Sequence, residues 1–181
     1  MRIIVGAAET YQAGWFSTNE QWLDITKKTD WDNIFPTKGR VSHILAEHVF
    51  EHLTAEQAAT ALGFMFELLG PEGRVRIAVP DGFNPDPEYI RHVGINGIGA
   101  DASDHKQLLN KLSLQTLLAD AGFQVEFVEG YTETGELHVR RYDINDGYVL
   151  RSRQATQRVT AEGWEFKDAQ SSLIMDGIKP A

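Results

Sequence analysis

The sequence contains no cysteine in its 181 residues. A chain without thiols cannot form disulfides, bind zinc through thiolates or use a cysteine nucleophile. This absence fits a reducing compartment, and we expect a cytoplasmic protein. The first residues, MRIIVGAAETY, agree with that expectation because their apolar run is short and has no secretory pattern.

Basic residues and long apolar runs are also scarce. Lys and Arg total 17 against 26 Asp and Glu, which gives a formal net charge of -9. Such a surface repels phosphate backbones, so no nucleic acid is expected as a partner. No segment approaches the roughly 18 consecutive apolar residues of a membrane span, so no membrane partner is expected either.

The remaining composition is that of an ordinary globular protein. The hydrophobic fraction is 42% and the charged fraction is 24%, and the length favours one domain. We expect a single domain over residues 1–181, with a core at about 1–131 and a hairpin and tail strand at 132–181. The composition leaves a homo-oligomer open.

Apolar runs alternate with helical patterns along the chain. Strands are predicted at residues 2–7, 15–18, 41–46, 74–79, 124–128, 137–142 and 172–178, with 22–25 as a further strand or an edge segment. Thr54 and Gln57 have the spacing of a capping box, and that helix should stop at Gly70-Pro71. Ser113 is predicted to cap a second helix. The segments 81–104 and 151–168 are predicted to be loop-rich.

This alternation predicts an open α/β sheet whose parallel strands bind ligands at their carboxyl ends. Residues 6–9, 47–48 and 80–82 each follow a predicted strand. We therefore expect these three segments to lie along one rim of the sheet.

The segment EHVFEH contains His48, Glu51 and His52, in the H-x-x-E-H pattern of some zinc proteases. A zinc hydrolase using these residues is one hypothesis. It needs both His on one helix face and a third protein ligand. The predicted helix begins only after His52, and His105 and His138 are isolated in the sequence. We therefore predict no metal, with Val49, Phe50 and Leu53 packed inward and the side chains of Glu51 and His52 bonded to backbone.

Several segments together resemble the small bacterial class I S-adenosylmethionine-dependent methyltransferases. The segments are VGAAETYQAGW, ILAEHVFEHLT, LLGPEGRVRIAVPDG and SLIMDGIKP, and the resemblance spans nearly the whole chain. It implies a single-domain Rossmann-like α/β fold, with a mostly parallel sheet and an antiparallel edge. It also implies S-adenosylmethionine as cofactor and a small-molecule methyl acceptor, and it assigns EHVFEH to scaffold and cofactor contact.

The resemblance places the backbone of Gly6, Ala7 and Ala8 beside the methionyl part of the cofactor. The family's Gly-x-Gly is Gly-Ala-Ala here. In the family an acidic side chain after the second strand holds the ribose hydroxyls, for which a carboxylate is a strong acceptor. At this place the chain has Asn19, followed by Glu20.

Other side chains complete the predicted cofactor side. Asp24 or Asp30 would then serve the ribose or the adenine amine, unless they are turn or cap residues. Glu47 and His48 are predicted to face the cofactor from the rim.

A hydroxyl or amine acceptor must lose a proton, and a general base assists that loss. His105 and Asp81 are the catalytic candidates, with His48 also near the rim. The altered Gly-Ala-Ala turn and Asn19 favour a rival hypothesis, a protein that binds S-adenosylmethionine without catalysis. Residues 81–104 carry no motif that identifies the acceptor.

Overall fold

The computed structural model describes residues 1–100, 102–155 and 172–181. In these ranges the strands are β1 Arg2–Val5, β2 Phe16–Ser17, β3 Val41–Glu47, β4 Leu69–Val79, β5 Gln124–Tyr131, β6 Leu137–Val139 and β7 Leu173–Ile178. The helices are α1 Lys28–Ile34, α2 Ala55–Leu68, α3 Pro87–Val93 and α4 Lys111–Asp120. Short 3-10 turns occur at Phe50–His52, Ala102–Asp104 and Ile144–Asp146.

The strands form one sheet in the order β2-β1-β3-β4-β7-β5-β6. The pairs β1–β2, β1–β3 and β3–β4 are parallel, whereas β7 is antiparallel to both β4 and β5. The predicted α/β class with a mostly parallel sheet is confirmed. The tail strand β7, however, lies inside the sheet and not at its edge. The burial of Leu173 to Gly177 fits that interior position.

Alternate residues of the central strands point to opposite faces, as the pleat requires. Ile3 and Ile44 face the larger core, which packs against α1, α2 and α4. Ile4 and Leu45 face a smaller core. The smaller core is completed by loop residues such as Trp15 and Val149, and within the described ranges none of its buried members comes from a helix.

The predicted capping box of α2 is present. The N–H of Gln57 donates to Thr54 Oγ1 at 3.2 Å, and the N–H of Thr54 donates to Gln57 Oε1 at 2.9 Å. The predicted helix stop just before Gly70-Pro71 is confirmed, because α2 ends at Leu68 with Leu69 as its C-cap. Gly70 has no left-handed φ, however, and the chain enters β4 directly. Gly70 is instead required by close packing, since a Cβ there would lie 2.9 Å from the carbonyl oxygen of Gly39.

The start of α4 also differs from the prediction. Its N-cap is Asn110, and Ser113 is the third helical residue of a reciprocal capping box. The N–H of Ser113 donates to Asn110 Oδ1 at 3.0 Å, and the N–H of Asn110 donates to Ser113 Oγ at 2.9 Å.

Two further predictions need correction. Residues 22–25 form no strand, because the N–H of Leu23 bonds locally to the carbonyl of Asn19 while its side chain joins the core. The segment 81–104 contains α3, which begins with Asp86 as N-cap and a proline at its first turn. Most of the predicted loop at 151–168 lies outside the described residues. No helix in the described ranges is long and apolar enough to cross a membrane.

Candidate functional site

A cavity of about 640 Å³ opens at the carboxyl ends of β1, β3 and β4. The segments that follow these strands line it, as the predicted rim requires. Among the predicted site residues, the lining includes Gly6, Ala7, Ala8, Glu47, His48 and His105. Asn19, Glu20, Asp24 and Asp81 are not part of the lining.

The turn after β1 packs tightly against the turn after β3. Gly6 has a φ of +60° and Ala8 has a φ of +47°, both in the left-handed region. A Cβ on Gly6 would lie 2.5 Å from Val49 Cγ2. Only glycine satisfies both this conformation and this close approach.

Asn19 holds that turn through both ends of its carboxamide. Its Oδ1 accepts from the N–H of Ala8 at 2.7 Å, and its Nδ2 donates to the carbonyl of Ala8 at 3.2 Å. A carboxylate at this position could accept but not donate. The amide is therefore suited to fixing the backbone of Ala8, and this contact was not predicted from the sequence.

The other predicted ribose-side residues lie outside the cavity. Asp24 Oδ1 accepts from the hydroxyl of Thr26 at 2.6 Å, and its Oδ2 lies 3.1 Å from Lys27 Nζ. The Thr26 hydroxyl is the main reason why the pKa of Asp24 is lowered. Asp24 therefore shapes a local turn, whereas Glu20 is exposed.

Glu47 and His48 line the cavity and also hold its rim together. The carboxylate of Glu47 accepts from the N–H groups of Leu150 and Arg151 at 3.0 and 2.9 Å. His48 has a φ of +54°, and its Nε2 lies 3.0 Å from Ser172 Oγ. These contacts attach the segment at 150–151 and the start of β7 to the end of β3.

Among the residues that the structure describes, the side chains of Glu51 and His52 have no backbone partner, contrary to the prediction. Glu51 is 1% exposed, and neither carboxylate oxygen makes a hydrogen bond within the described residues. Its Oε1 lies 2.9 Å from His48 Nδ1, and His52 Nδ1 lies 3.0 Å from Asp104 Oδ1, but neither pair has hydrogen-bonding geometry. Phe50 is fully buried, as predicted.

His105 is 8% exposed and lies against the same segment. Its Nδ1 is 2.7 Å from the carbonyl oxygen of Val93, and its ring makes an edge contact with His52 at a centroid distance of 4.9 Å. The N–H groups of Lys106 and Gln107 donate to the carbonyl of Glu51 at 2.8 and 3.3 Å. The sequence identified His105 as a catalytic candidate but contained no signal for its contact with His52.

Asp81 is fully buried and serves as a link between strands. Its Oδ2 accepts from the N–H of Tyr131 at 2.7 Å, and its Oδ1 accepts from the N–H of Phe83 at 2.9 Å. Burial raises the pKa of this carboxyl, and the two backbone N–H groups oppose the rise. Asp81 therefore ties the end of β4 to the end of β5 and has no surface in the cavity.

No family model matches the chain, and no curated protein matches its sequence. Solved structures do resemble it. An S-adenosylmethionine-dependent methyltransferase from Archaeoglobus fulgidus has a TM-score of 0.54 at 14% identity, over 98% of this chain and 85% of that one.

Two further structures match with shorter coverage of their own length. The apo form of the S-adenosylmethionine-dependent methyltransferase SibL has a TM-score of 0.53 at 13% identity, over 99% of this chain and 42% of that one. The carbon methyltransferase CurJ has a TM-score of 0.50 at 12% identity, over 93% of this chain and 36% of that one. The chain therefore has the fold of the class I S-adenosylmethionine-dependent methyltransferases.

Proposed function

We propose that the protein is an S-adenosylmethionine-dependent methyltransferase that acts on a small molecule. One observation carries this proposal. In a methyltransferase fold, the turn after β1 and the turn after β3 face a single cavity of about 640 Å³ at the carboxyl ends of the strands. This is where open α/β sheets bind their ligands.

The wall of the cavity suits the methionyl part of the cofactor. The small side chains of Ala7 and Ala8 leave room for close approach to the backbone after β1. Glu47 and Glu51 also line the cavity, and carboxylates attract the positive charge of a sulfonium. On the ribose side, both ends of the Asn19 carboxamide are engaged with Ala8, so Asn19 is not assigned to the ribose hydroxyls.

S-adenosylmethionine supplies a methyl group on a sulfonium, whose sulfur takes back the electron pair when the carbon–sulfur bond breaks. The protein must orient the acceptor and remove its proton as the new bond to the methyl carbon forms. His105 is placed for that second task. The contact from Nδ1 to the Val93 carbonyl requires the N–H to be on Nδ1, which leaves a lone pair on Nε2. That lone pair is able to take the proton of the acceptor.

The rival function is binding of S-adenosylmethionine without methyl transfer. It is favoured by the engagement of Asn19 with the turn after β1, at the place where the resemblance implies a ribose-binding carboxylate. The two functions share the cofactor and differ in turnover. Calorimetry with the cofactor product therefore tests cofactor binding, which both functions require. Methyl transfer to a panel of acceptors distinguishes the enzyme from the non-catalytic binding protein.

The test of cofactor placement uses S-adenosylhomocysteine and the variant Ala8→Glu. A long acidic side chain beside the cavity should weaken binding at least tenfold. Ala13→Glu is the matched control, because Ala13 is exposed and outside the cavity lining. Equal affinities in the two variants contradict the placement, and absence of binding in the parent protein contradicts the proposed function.

Methyl transfer is then measured with radiolabelled cofactor and a panel of hydroxyl, amine and carboxylate acceptors. Labelled product is expected from at least one acceptor class. Tight cofactor binding with no product from any class supports the non-catalytic rival instead.

A further inference from the structure

The carboxylate of Glu51 is buried beside His48, whose Nδ1 lies 2.9 Å from Glu51 Oε1 without hydrogen-bonding geometry. It is 1% exposed, and both oxygens are without a hydrogen bond within the described residues. Burial of an unpaired carboxylate is strongly unfavourable, so such groups are normally paired or bound to a metal. Glu51 nevertheless lines the cavity, where a small cation can reach it.

Two further histidines lie beside this carboxylate. One ligand atom from each of Glu51, His52 and His105 falls within 4.8 Å of the others. A metal at about 2.0–2.2 Å from each ligand needs them only somewhat closer together. A small rotation of the His52 ring can bring that about, because this ring contacts the His105 ring edge to face and its Nδ1 makes no hydrogen bond within the described residues.

The surrounding contacts resemble those that support metal ligands. The Val93 carbonyl holds the Nδ1–H of His105, which fixes the ring and leaves Nε2 as the ligand atom. The carbonyl of Glu51 accepts from the N–H groups of Lys106 and Gln107, so the segment carrying His105 is anchored to the segment carrying Glu51. The three side chains are thus positioned before any ion arrives.

We propose that Glu51, His52 and His105 bind a divalent transition metal on the wall of the cavity. Two imidazoles and one carboxylate favour zinc or a similar ion over magnesium, which prefers an all-oxygen set. The sequence predicted no metal because no third protein ligand was apparent. In the structure, His105 is that third ligand. His48 is not a member of this three-residue cluster. Its Nδ1 lies 2.9 Å from Glu51 Oε1, but Arg151 Nη1 also lies 3.3 Å from that nitrogen, and its Nε2 contacts Ser172.

Three protein ligands leave coordination positions open to the cavity. If the proposed methyl transfer is correct, on which this role rests, an acceptor hydroxyl binds at an open position. Coordination lowers the pKa of a bound hydroxyl, so the oxygen attacks the methyl carbon after its proton has gone to water in the cavity. His105 is then a metal ligand, and the proton does not pass to its Nε2.

The test measures metal binding directly, without activity. The protein is treated with a chelator, dialysed and titrated separately with Zn²⁺, Co²⁺, Mn²⁺ and Mg²⁺ by calorimetry. We expect one Zn²⁺ per chain, weaker Mn²⁺ binding and little Mg²⁺ binding. Glu51→Gln and His105→Ala should each weaken Zn²⁺ binding more than about 100-fold, since even outer contacts account for 10–100-fold.

His92→Ala is the matched control, because His92 also lines the cavity but lies outside the cluster. Visible absorption of the Co²⁺ form adds a spectroscopic readout, and Glu51→Gln should change it while preserving the circular dichroism of the parent. Absence of stoichiometric Zn²⁺ binding, or equal binding by Glu51→Gln and His92→Ala, overturns the metal site. Cofactor affinity is measured on the same samples, so failure of the metal site is distinguished from failure of the methyltransferase proposal.

Discussion

Arg76 and Asp176 face each other across the antiparallel strands β4 and β7, and neither side chain is accessible to solvent. Arg76 donates from Nε and Nη2 to the two carboxylate oxygens at 2.7 Å each. Its Nη1 donates to the carbonyl of Gly147 at 2.6 Å, and its guanidinium lies 4.1 Å from the ring centroid of Tyr142. The pair thus joins the sheet to the loop that covers its smaller core.

Asp176→Asn should destabilise the protein by about 3–5 kcal/mol, because it leaves the Arg76 charge buried without its counter-ion. Urea unfolding measures this loss. Glu126→Gln is the control, since Glu126 pairs with Arg140 at the surface, where such pairs contribute about 1 kcal/mol or less. The double variant Arg76→Met with Asp176→Leu should recover much of the loss. A cost below about 1 kcal/mol for Asp176→Asn contradicts this account.

Glu129 should make stability fall as pH rises through the range from 4.5 to about 7. Burial raises the pKa of its carboxyl to about 7, against bonds from the Arg153 N–H that lower it. Between the two values the folded protein holds a proton that the unfolded chain has released, so raising the pH favours unfolding. The total effect is on the order of 3 kcal/mol, complete above the folded pKa and absent below the unfolded one.

Glu129→Gln removes this ionisation and keeps an acceptor for the Arg153 N–H. Its unfolding free energy, relative to the parent, should therefore rise from pH 4.5 to pH 7. Glu136→Gln replaces an exposed carboxyl and should show a constant difference. Parallel pH profiles for the parent and Glu129→Gln would show that the carboxyl is not perturbed.

Asn19→Ala should weaken S-adenosylhomocysteine binding by releasing the backbone of Ala8. Fixing one residue costs about 1–2 kcal/mol, which corresponds to roughly 5- to 30-fold in affinity. Asn33→Ala is the control, because Asn33 is exposed on α1. Calorimetry decides the point, and unchanged affinity in Asn19→Ala would show that the two bonds to Ala8 do not organise the site.

His105→Ala should lower turnover by roughly 10²–10⁴-fold with any acceptor that is methylated, the range for loss of a general base. Cofactor affinity should change little, since the role proposed for His105 concerns the acceptor. His138→Ala should retain turnover, because His138 is exposed and outside the cavity lining. Chelator-treated parent protein separates the two roles of His105: full turnover without metal identifies a base, and lost turnover restored by Zn²⁺ identifies a metal ligand.

The sequence predicted the elements whose signals are local. The apolar runs of β1, β3 and β4 and the capping box at Thr54 each appear within a few residues of the predicted position. Asn110 and Ser113 cap each other reciprocally, so the sequence pattern alone did not show which one precedes the helix. Where two nearby residues carry the same capping signal, the predicted start of the helix is displaced by a few residues.

Contacts between distant segments had no such signal. Glu51 and His105 lie close together because the backbone N–H groups after His105 donate to the Glu51 carbonyl. Backbone hydrogen bonds do not depend on residue type, so the sequence does not indicate them. The family resemblance aligned Asn19 with a ribose-binding position. In the structure, its side-chain amide instead bonds to the backbone N–H and carbonyl of Ala8. The composition of the cavity rim was therefore predictable, and the pairing of its side chains was not.

The position of β7 determines the order in which the sheet can be completed during synthesis. β4 and β5 never pair with each other, because β7 lies between them and bonds to both. β5 ends at Tyr131, yet β7 begins only at Leu173. A nascent chain that has emerged from the ribosome as far as β6 therefore carries a β5–β6 hairpin with no docking edge. We expect arrested chains to acquire protease resistance in that hairpin only after residues 173–178 have left the exit tunnel.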